Sequence, residues 1–258
     1  MHGILNIALR AAREASDLIV QAVDRLDRVK IFAKGKNDFV TNIDREVESL
    51  LIEMIRKAYP DHGFLAEESG IQEGKDKESL WIIDPIDGTR NFMRGFPHFC
   101  ISMACVKNNK LQHAVIVDPV RRDEFTATRG EGAQLNGKKI RCDNNASLEN
   151  SVVSFSFSGD RYDDALALQK ALKDRVAGLR FTGSAALDLA YTACGRLNAG
   201  WMSGIQQWDV AAGILLLQES GGLISDHQGN PDCLDSDRLV FANSKTFKPL
   251  LQIINKQA

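Results

Sequence analysis

The sequence predicts a mixed α/β protein in which two layered sheets are flanked by helices. Three observations lead there. Helical and strand-like apolar periodicities alternate along the chain, and no clean linker or internal repeat interrupts them. In addition, 258 residues with 44% apolar content can bury a sizeable core.

Each element carries its own signal. Near the N-terminus Ile4, Leu5, Ala8, Ala12, Ile19 and Val23 recur at helical spacing, interrupted by Arg10, Arg13, Glu14 and Asp17. That segment reads as an amphipathic packing helix rather than a targeting segment. A second helix is expected over 43–58, opened by the Thr41-x-x-Asp44 start signal and closed by Pro60. Strand-like runs follow at 64–66, 80–83, 100–107, 111–118 and 124–128, and Asn136-Gly137 marks a tight hairpin. Beyond it come a strand at 151–157 and helices at 163–174, 185–194 and 209–219. The polar stretch 142–150 places a boundary near Glu149, giving halves 1–149 and 150–258 of one compact unit.

Composition narrows the function classes. A net charge of −2 exerts no global pull toward nucleic acid or an anionic membrane, and no direct nucleic-acid motif is present. The basic clusters Arg121-Arg122 and Lys138 to Arg141 read as solvated faces. Five cysteines, odd in number and without a Cys-x-x-Cys pair, read as reduced thiols of a cytoplasmic protein. No stretch is long and apolar enough to cross a bilayer.

The chemistry concentrates where Trp81-Ile82-Ile83 stops on Asp84-Pro85-Ile86-Asp87-Gly88-Thr89. A buried strand delivers Asp84 to its end, Pro85 stops continued pairing, and a turn returns Asp87 to the same point. Two anions so placed repel unless a cation joins them, and an all-oxygen donor set favours magnesium or manganese over zinc. Gly88 and Thr89 could open a short helix whose amides attract a phosphate. Taken alone, the segment fits a strand end with an Asx-type turn equally well. Three further acidic segments accompany it. Glu67-Glu68 ends an apolar run, Trp208-Asp209 opens an apolar helix, and Asp44 sits in a capping signal.

Taken together, these segments resemble the inositol monophosphatase family of magnesium-dependent, lithium-sensitive phosphatases. The resemblance runs over nearly the whole chain: 35–44, Glu67-Glu68-Ser69, 84–89, 128–133, Gly183-Ser184-Ala185-Ala186 and Trp208-Asp209 come in the family's order. Segments 1–13, 135–137 and 182–191 look most like its bacterial SuhB branch. The resemblance implies a five-layer α-β-α-β-α sandwich with the metal site between the two halves.

The resemblance also implies roles. Glu67, Asp84 and the Ile86 carbonyl would hold a first magnesium, and Asp84, Asp87 and Asp209 a second, with a third as a family possibility. Glu67 and Thr89 would orient the attacking water, and Asp44 would accept a hydrogen bond from the Thr89 hydroxyl. The Gly88 and Thr89 amides would hold the phosphate, while Glu68 would support the site and Lys36 would screen charge. Such a clamp suits the reaction. Phosphate monoesters demand accelerations approaching about 10²¹, of which general acid–base catalysis supplies only about 10²–10⁴.

On the substrate side, Ser184, Ala185 and Asp87 match the family's pattern. Met202 departs from it, because inositol-phosphate enzymes of the family usually carry glutamate seven residues before the Trp-Asp aspartate. As a pocket wall Met202 would be less polar than usual, which points to inositol 1-phosphate with a broadened or shifted specificity. Arg90, where many relatives have threonine, is a second departure. His98 reads as structural and His62 as solvent-facing. Histidinol phosphate, a sugar bisphosphate or a 3′-phosphonucleotide is the alternative substrate. A SuhB-like partner role in ribosomal RNA transcription antitermination is the non-enzymatic alternative, and the family implies a homodimer. The apolar stretches 155–157 and 179–181 read as either core or interface.

Overall fold

The computed structural model describes residues 3–35, 38–143, 145–157 and 162–256. The chain opens with α1 (Gly3–Val23), the hairpin β1 (Ile31–Gly35) and β2 (Asp38–Thr41), and α2 (Asn42–Ala58). Then come β3 (Gly63–Ala66), β4 (Gly70–Gln72), β5 (Ser79–Asp87) and the short α3 (Thr89–Phe92). A meander of β6 (Cys100–Lys107), β7 (Lys110–Asp118), β8 (Asp123–Thr128), β9 (Gly132–Leu135) and β10 (Lys138–Lys139) completes the first part. The remainder is β11 (Val152–Phe157), α4 (Tyr162–Leu172), β12 (Gly178–Phe181), α5 (Ala185–Ala193), β13 (Ala199–Ser203), α6 (Gln207–Glu219), β14 (Leu223–Asp226), β15 (Arg238–Ala242) and α7 (Ser244–Ile254).

Two large sheets result. The first has eight strands in the order β10-β9-β8-β7-β6-β5-β3-β4, the second five in the order β12-β11-β13-β15-β14. Central strands of the first sheet are buried on both faces, and their side chains alternate between two cores. On β5 and β6, Trp81, Ile83, Ile101 and Met103 face α1 and α2, whereas Ile82, Cys100 and Ala104 face α5 and α6. The second sheet turns Met202, Leu239 and Phe241 toward that same central core, and Phe155, Trp201 and Val240 toward α4 and α7. The five layers are therefore α1/α2, eight strands, α5/α6, five strands, α4/α7.

Helix patterning follows from these positions. Both α1 and α2 cover one sheet face and are amphipathic, whereas α6 lies between two sheets and buries every residue from Val210 to Leu217. Gly213 lets α6 approach α5, since a Cβ there would lie 2.4 Å from Leu189 Cδ1. The Asn136-Gly137 hairpin forms as the sequence indicates, with φ of 51° and 75° at its two turn residues. Among the described residues, no helix is long and apolar enough to cross a membrane.

Two expectations are corrected here. The strand does not stop at Pro85: β5 runs on to Asp87. Its pairing with β3 ends at Ala66↔Ile83, so Pro85 forfeits no ladder bond on that side. Nor does Met202 line a pocket: β13 is the middle strand of the five and its Met202 side chain is buried.

Candidate metal centre

The site begins with an irregularity. Asp84 pairs with Ser102 and Asp87 with Cys100, so β5 carries one residue more than β6 between these pairs. Residues three apart on a regular strand face opposite ways; the extra residue turns both aspartates to the central-core side. The sequence reading assigned this reversal to a turn. Inside the bulge, the Ile86 amide donates to Asp84 Oδ1 at 3.0 Å.

From the opposite side, α6 contributes Asp209. Its carboxylate caps the helix by accepting the Gln206 amide at 2.7 Å. Oxygens of Asp84, Asp87 and Asp209 all lie within 4.8 Å of one another. Burial raises the Asp84 pKa well above the ordinary range, and Glu67, Asp87 and Asp209 add to it. Burial likewise pushes Asp87 up to about 6, against the pull of its hydrogen bonds.

Those hydrogen bonds come from the start of α5. Ser184 Oγ donates to Asp87 Oδ2 at 2.5 Å, the Ala186 amide to the same oxygen at 2.7 Å, and the Ala185 amide to Oδ1 at 3.3 Å. Ser184 and Ala185, read from sequence as substrate-facing, thus touch a carboxylate of the cluster.

Glu67 follows β3, where its amide extends the pairing to the Ile83 carbonyl at 3.2 Å. Burial pushes its pKa to about 7, against the pull of Lys34. Lys34 on β1 places its ammonium 3.0 Å from Glu67 and 2.5 Å from Glu68. Burial works against that charge, yet the two carboxylates outweigh it and hold the Lys34 pKa above the ordinary lysine value. Sequence reasoning singled out Lys36, which lies outside the described residues, and passed over Lys34. The strand carrying Lys34 has no alternating pattern, since Ile31, Phe32 and Ala33 precede it and all five residues are exposed, so local sequence offered no signal for it.

A buried carboxylate at each of two successive turns of α2 frames the other edge. Asp44 accepts from the Thr41 amide at 2.8 Å and hydroxyl at 2.5 Å, and from the Thr89 hydroxyl at 3.2 Å. Burial raises its pKa despite these bonds. The Thr89 hydroxyl also lies 3.0 Å from the Ile86 carbonyl, and its single proton serves one acceptor at a time. Glu48, overlooked in the sequence, takes the Glu68 and Ser69 amides at 2.8 and 2.9 Å and so fixes the turn after Glu67. Gly88, just before Thr89, has φ 98°, and a Cβ there would lie 3.0 Å from the His98 carbonyl oxygen; both facts require glycine.

Other expected residues sit differently. Met202 is fully buried within the central core, beside Ser156 in register, so its side chain presents no surface to a pocket. The reading of Met202 as a pocket wall is corrected accordingly: its position on the middle strand of the small sheet seals it under α5 and α6. His62 is half-buried rather than solvent-facing; its Nδ1 accepts the Trp81 indole N–H at 3.1 Å. His98 is 8% exposed and packs edge-on to Tyr191, with its carbonyl accepting from Asn91 at 2.7 Å. Phe155 is core, whereas Phe181, stacked on it, remains exposed at the sheet edge.

The donor set fits a hard divalent cation. Aspartate oxygens converge, no cysteine or histidine belongs to the cluster among the described residues, and burial, joined at Asp84 by repulsion from its neighbours, raises pKa values that a cation would lower again.

Comparison with known proteins agrees with this geometry. Residues 1–257 match the inositol monophosphatase family. The chain is 46% identical to Nus factor SuhB of Pseudomonas aeruginosa, over 98% of this chain and 96% of that protein. It is 43% identical to Nus factor SuhB of Escherichia coli K12, over 97% and 95%. Among solved structures it resembles the extragenic suppressor protein suhB of Bartonella henselae, with a TM-score of 0.96, 33% identity and 99% of both chains covered. A Thermotoga maritima IMPase gives 0.90 and 35% over 98% of this chain and 97% of that one. Matched from end to end, and sharing more than a third of its residues with several relatives over nearly their full length, this chain belongs to the inositol monophosphatase family.

Proposed function

We propose that the chain is a magnesium-dependent phosphomonoesterase that hydrolyses inositol 1-phosphate or a similar small polyol phosphate. The observation that carries this reading is the convergence of Asp84, Asp87 and Asp209, from a strand bulge and a facing helix, into one oxygen cluster. Bound magnesium would supply charge neutralisation for the phosphoryl oxygens and acidify the attacking water. Asp84, Asp87 and Asp209 would hold one ion, and Glu67, Asp84 and the Ile86 carbonyl another. Asp44 would accept a hydrogen bond from the Thr89 hydroxyl and so turn a Thr89 lone pair toward the water, which Glu67 also orients. Gly88 and Thr89 amides would hold the phosphate. A structure of a relative is described as IMPase/NADP phosphatase complexed with Mg2+ and phosphate, which supports the choice of ion.

With Met202 withdrawn into the core, polyol hydroxyls lose a carboxylate partner, so discrimination among esters is broad. The test is phosphate release, with and without magnesium, from inositol 1-phosphate, glycerol 2-phosphate, histidinol phosphate, fructose 1,6-bisphosphate and 3′-phosphoadenosine 5′-phosphate. Magnesium-dependent turnover, strongest on inositol 1-phosphate and reduced at least about 10³-fold in Asp84→Asn, is expected. Folded, metal-loaded protein inert toward every ester would refute it.

A second reading is favoured by one observation: the relatives at 41–46% identity are named Nus factor SuhB. On it, the chain acts in the cytoplasm as a partner of the transcription machinery, alongside or instead of catalysis. We take the homodimer implied by the family as the working assembly in both readings.

A further inference from the structure

We propose that Asp188 is a positioning residue for the metal centre, acting on Asp87 through the turn Thr182–Gly183–Ser184; the proposal rests on the metal-dependent phosphatase reading above. Asp188 lies in the first turn of α5 and is fully buried. Its Oδ1 accepts the Thr182 hydroxyl at 2.8 Å and its Oδ2 the Ser156 hydroxyl at 2.9 Å. Thr182 Oγ1 in turn receives the Ser184 amide at 3.4 Å, while the Asp188 amide donates to the Ser184 carbonyl at 3.2 Å. Ser184, Ala185 and Ala186 then supply the three N–H and O–H donors that grip Asp87.

The chain of contacts therefore runs from β11, in the small sheet, through Asp188 and Thr182 to a carboxylate on β5 of the large sheet. The intervening turn needs such an anchor. Gly183 has φ 84° and is exposed, so the backbone between Thr182 and Ser184 has little intrinsic stiffness. Asn91 gives a second tie, donating to the Thr182 carbonyl at 2.9 Å, but it acts on the peptide before the glycine only.

Asp188 is also costly where it stands. Burial pushes its pKa to about 7 in spite of the Thr182 and Ser156 hydrogen bonds. A buried acid adds less to stability than an apolar side chain of its size, so its contribution lies in orientation: both hydroxyl protons point at Asp188. With the Thr182 proton committed there, its lone pair faces the Ser184 amide and holds in place the residue whose hydroxyl donates to Asp87. Groups that orient metal ligands in this way typically control affinity by about 10- to 100-fold.

The experiment titrates the full-length protein with manganese, followed by electron paramagnetic resonance without substrate, in wild type, Asp188→Ala and Asp188→Asn, alongside kcat and KM. Asp188→Ala is expected to weaken manganese binding about tenfold and to lower kcat with KM for the ester little changed. Asp188→Asn should restore both to within about threefold, because an amide oxygen still accepts from Thr182 while its NH2 turns the Ser156 hydroxyl around. Should Asp188→Ala not fold, Thr182→Val removes the intermediate hydroxyl alone and is expected to weaken manganese in the same direction. Unchanged manganese affinity in a folded Asp188→Ala or Thr182→Val, even with a lower Tm, overturns the proposal and leaves the phosphatase reading standing. Wild-type protein that binds no manganese overturns both.

Discussion

At the scale of single residues, the centre is built from carboxylates whose ionisation burial opposes. Glu67 and Asp87 have folded pKa values of about 7 and about 6, raised above their ordinary values of 4.5 and 3.8. A raised carboxylate pKa contributes stability that is full below the unfolded value and is lost as pH rises through the folded one. Metal-free protein should therefore lose this contribution between about pH 4 and 7. Magnesium, which favours the ionised forms, should raise Tm more at pH 8 than at pH 5; equal increments in thermal melts would sink this account. Glu48 makes a second residue-scale claim. Glu48→Ala leaves the Glu68 and Ser69 amides without their carboxylate and should cost about 2–4 kcal/mol in urea denaturation. It should also weaken manganese binding, because the turn that aims Glu67 is released.

At the scale of elements, the bulge in β5 and the helix α6 do most to place the site. A helix apolar on every side has one comfortable location, between two sheets, and that location brings the Asp209 end of α6 to the bulge. Close packing of α6 on α5 depends on Gly213. Gly213→Ala would set a Cβ 2.5 Å from Leu189 Cβ, which rotation of the leucine cannot relieve, at a cost of about 1–3 kcal/mol measurable by urea denaturation. On the opposite flank, His62 ties the turn after α2 to β5 through Trp81. Burial lowers the His62 pKa below 6.5. Its contribution is thus present above the unfolded pKa and is lost as pH falls toward the folded one, because Nδ1 must stay unprotonated to accept the indole N–H. His62→Phe should remove that part of the acid-side loss in Tm; a pH profile between 5 and 7 identical to wild type would count against it.

At the scale of the whole molecule, layering explains why the ligands come from distant stretches of chain. Asp84 and Asp87 sit on the eight-stranded sheet and Asp209 on the helix layer behind it, while the turn at Ser184, tied to the five-stranded sheet, grips Asp87. Each sheet alone would leave one face of α5 and α6 in water, so formation of the site and burial of the central core are one event. An expected consequence is cooperative loss: metal binding and near-ultraviolet dichroism should disappear in a single urea transition. Separate transitions would indicate halves that fold independently.

Periodicity and local chemistry made much of this legible. The amphipathic α1 and α2, the double-faced strands β5 to β8, the Asn136-Gly137 turn and the acidic segments each announce themselves within about ten residues of chain. Elements with little local signal were missed: the β1–β2 hairpin, β4, β12, β14 and β15 are short, and α7 carries Pro249 within it. The site divides along the same line. Residue types and the all-oxygen donor set are written in the sequence, because they follow from what a hard cation and a phosphate require. Only the tertiary structure decided that a bulge rather than a turn pairs Asp84 with Asp87, and that Lys34, Glu48 and Asp188 stand behind the ligands. It likewise decided that Met202 belongs to the core, since strand register and the neighbouring layer, not residue type, determine which face a side chain meets.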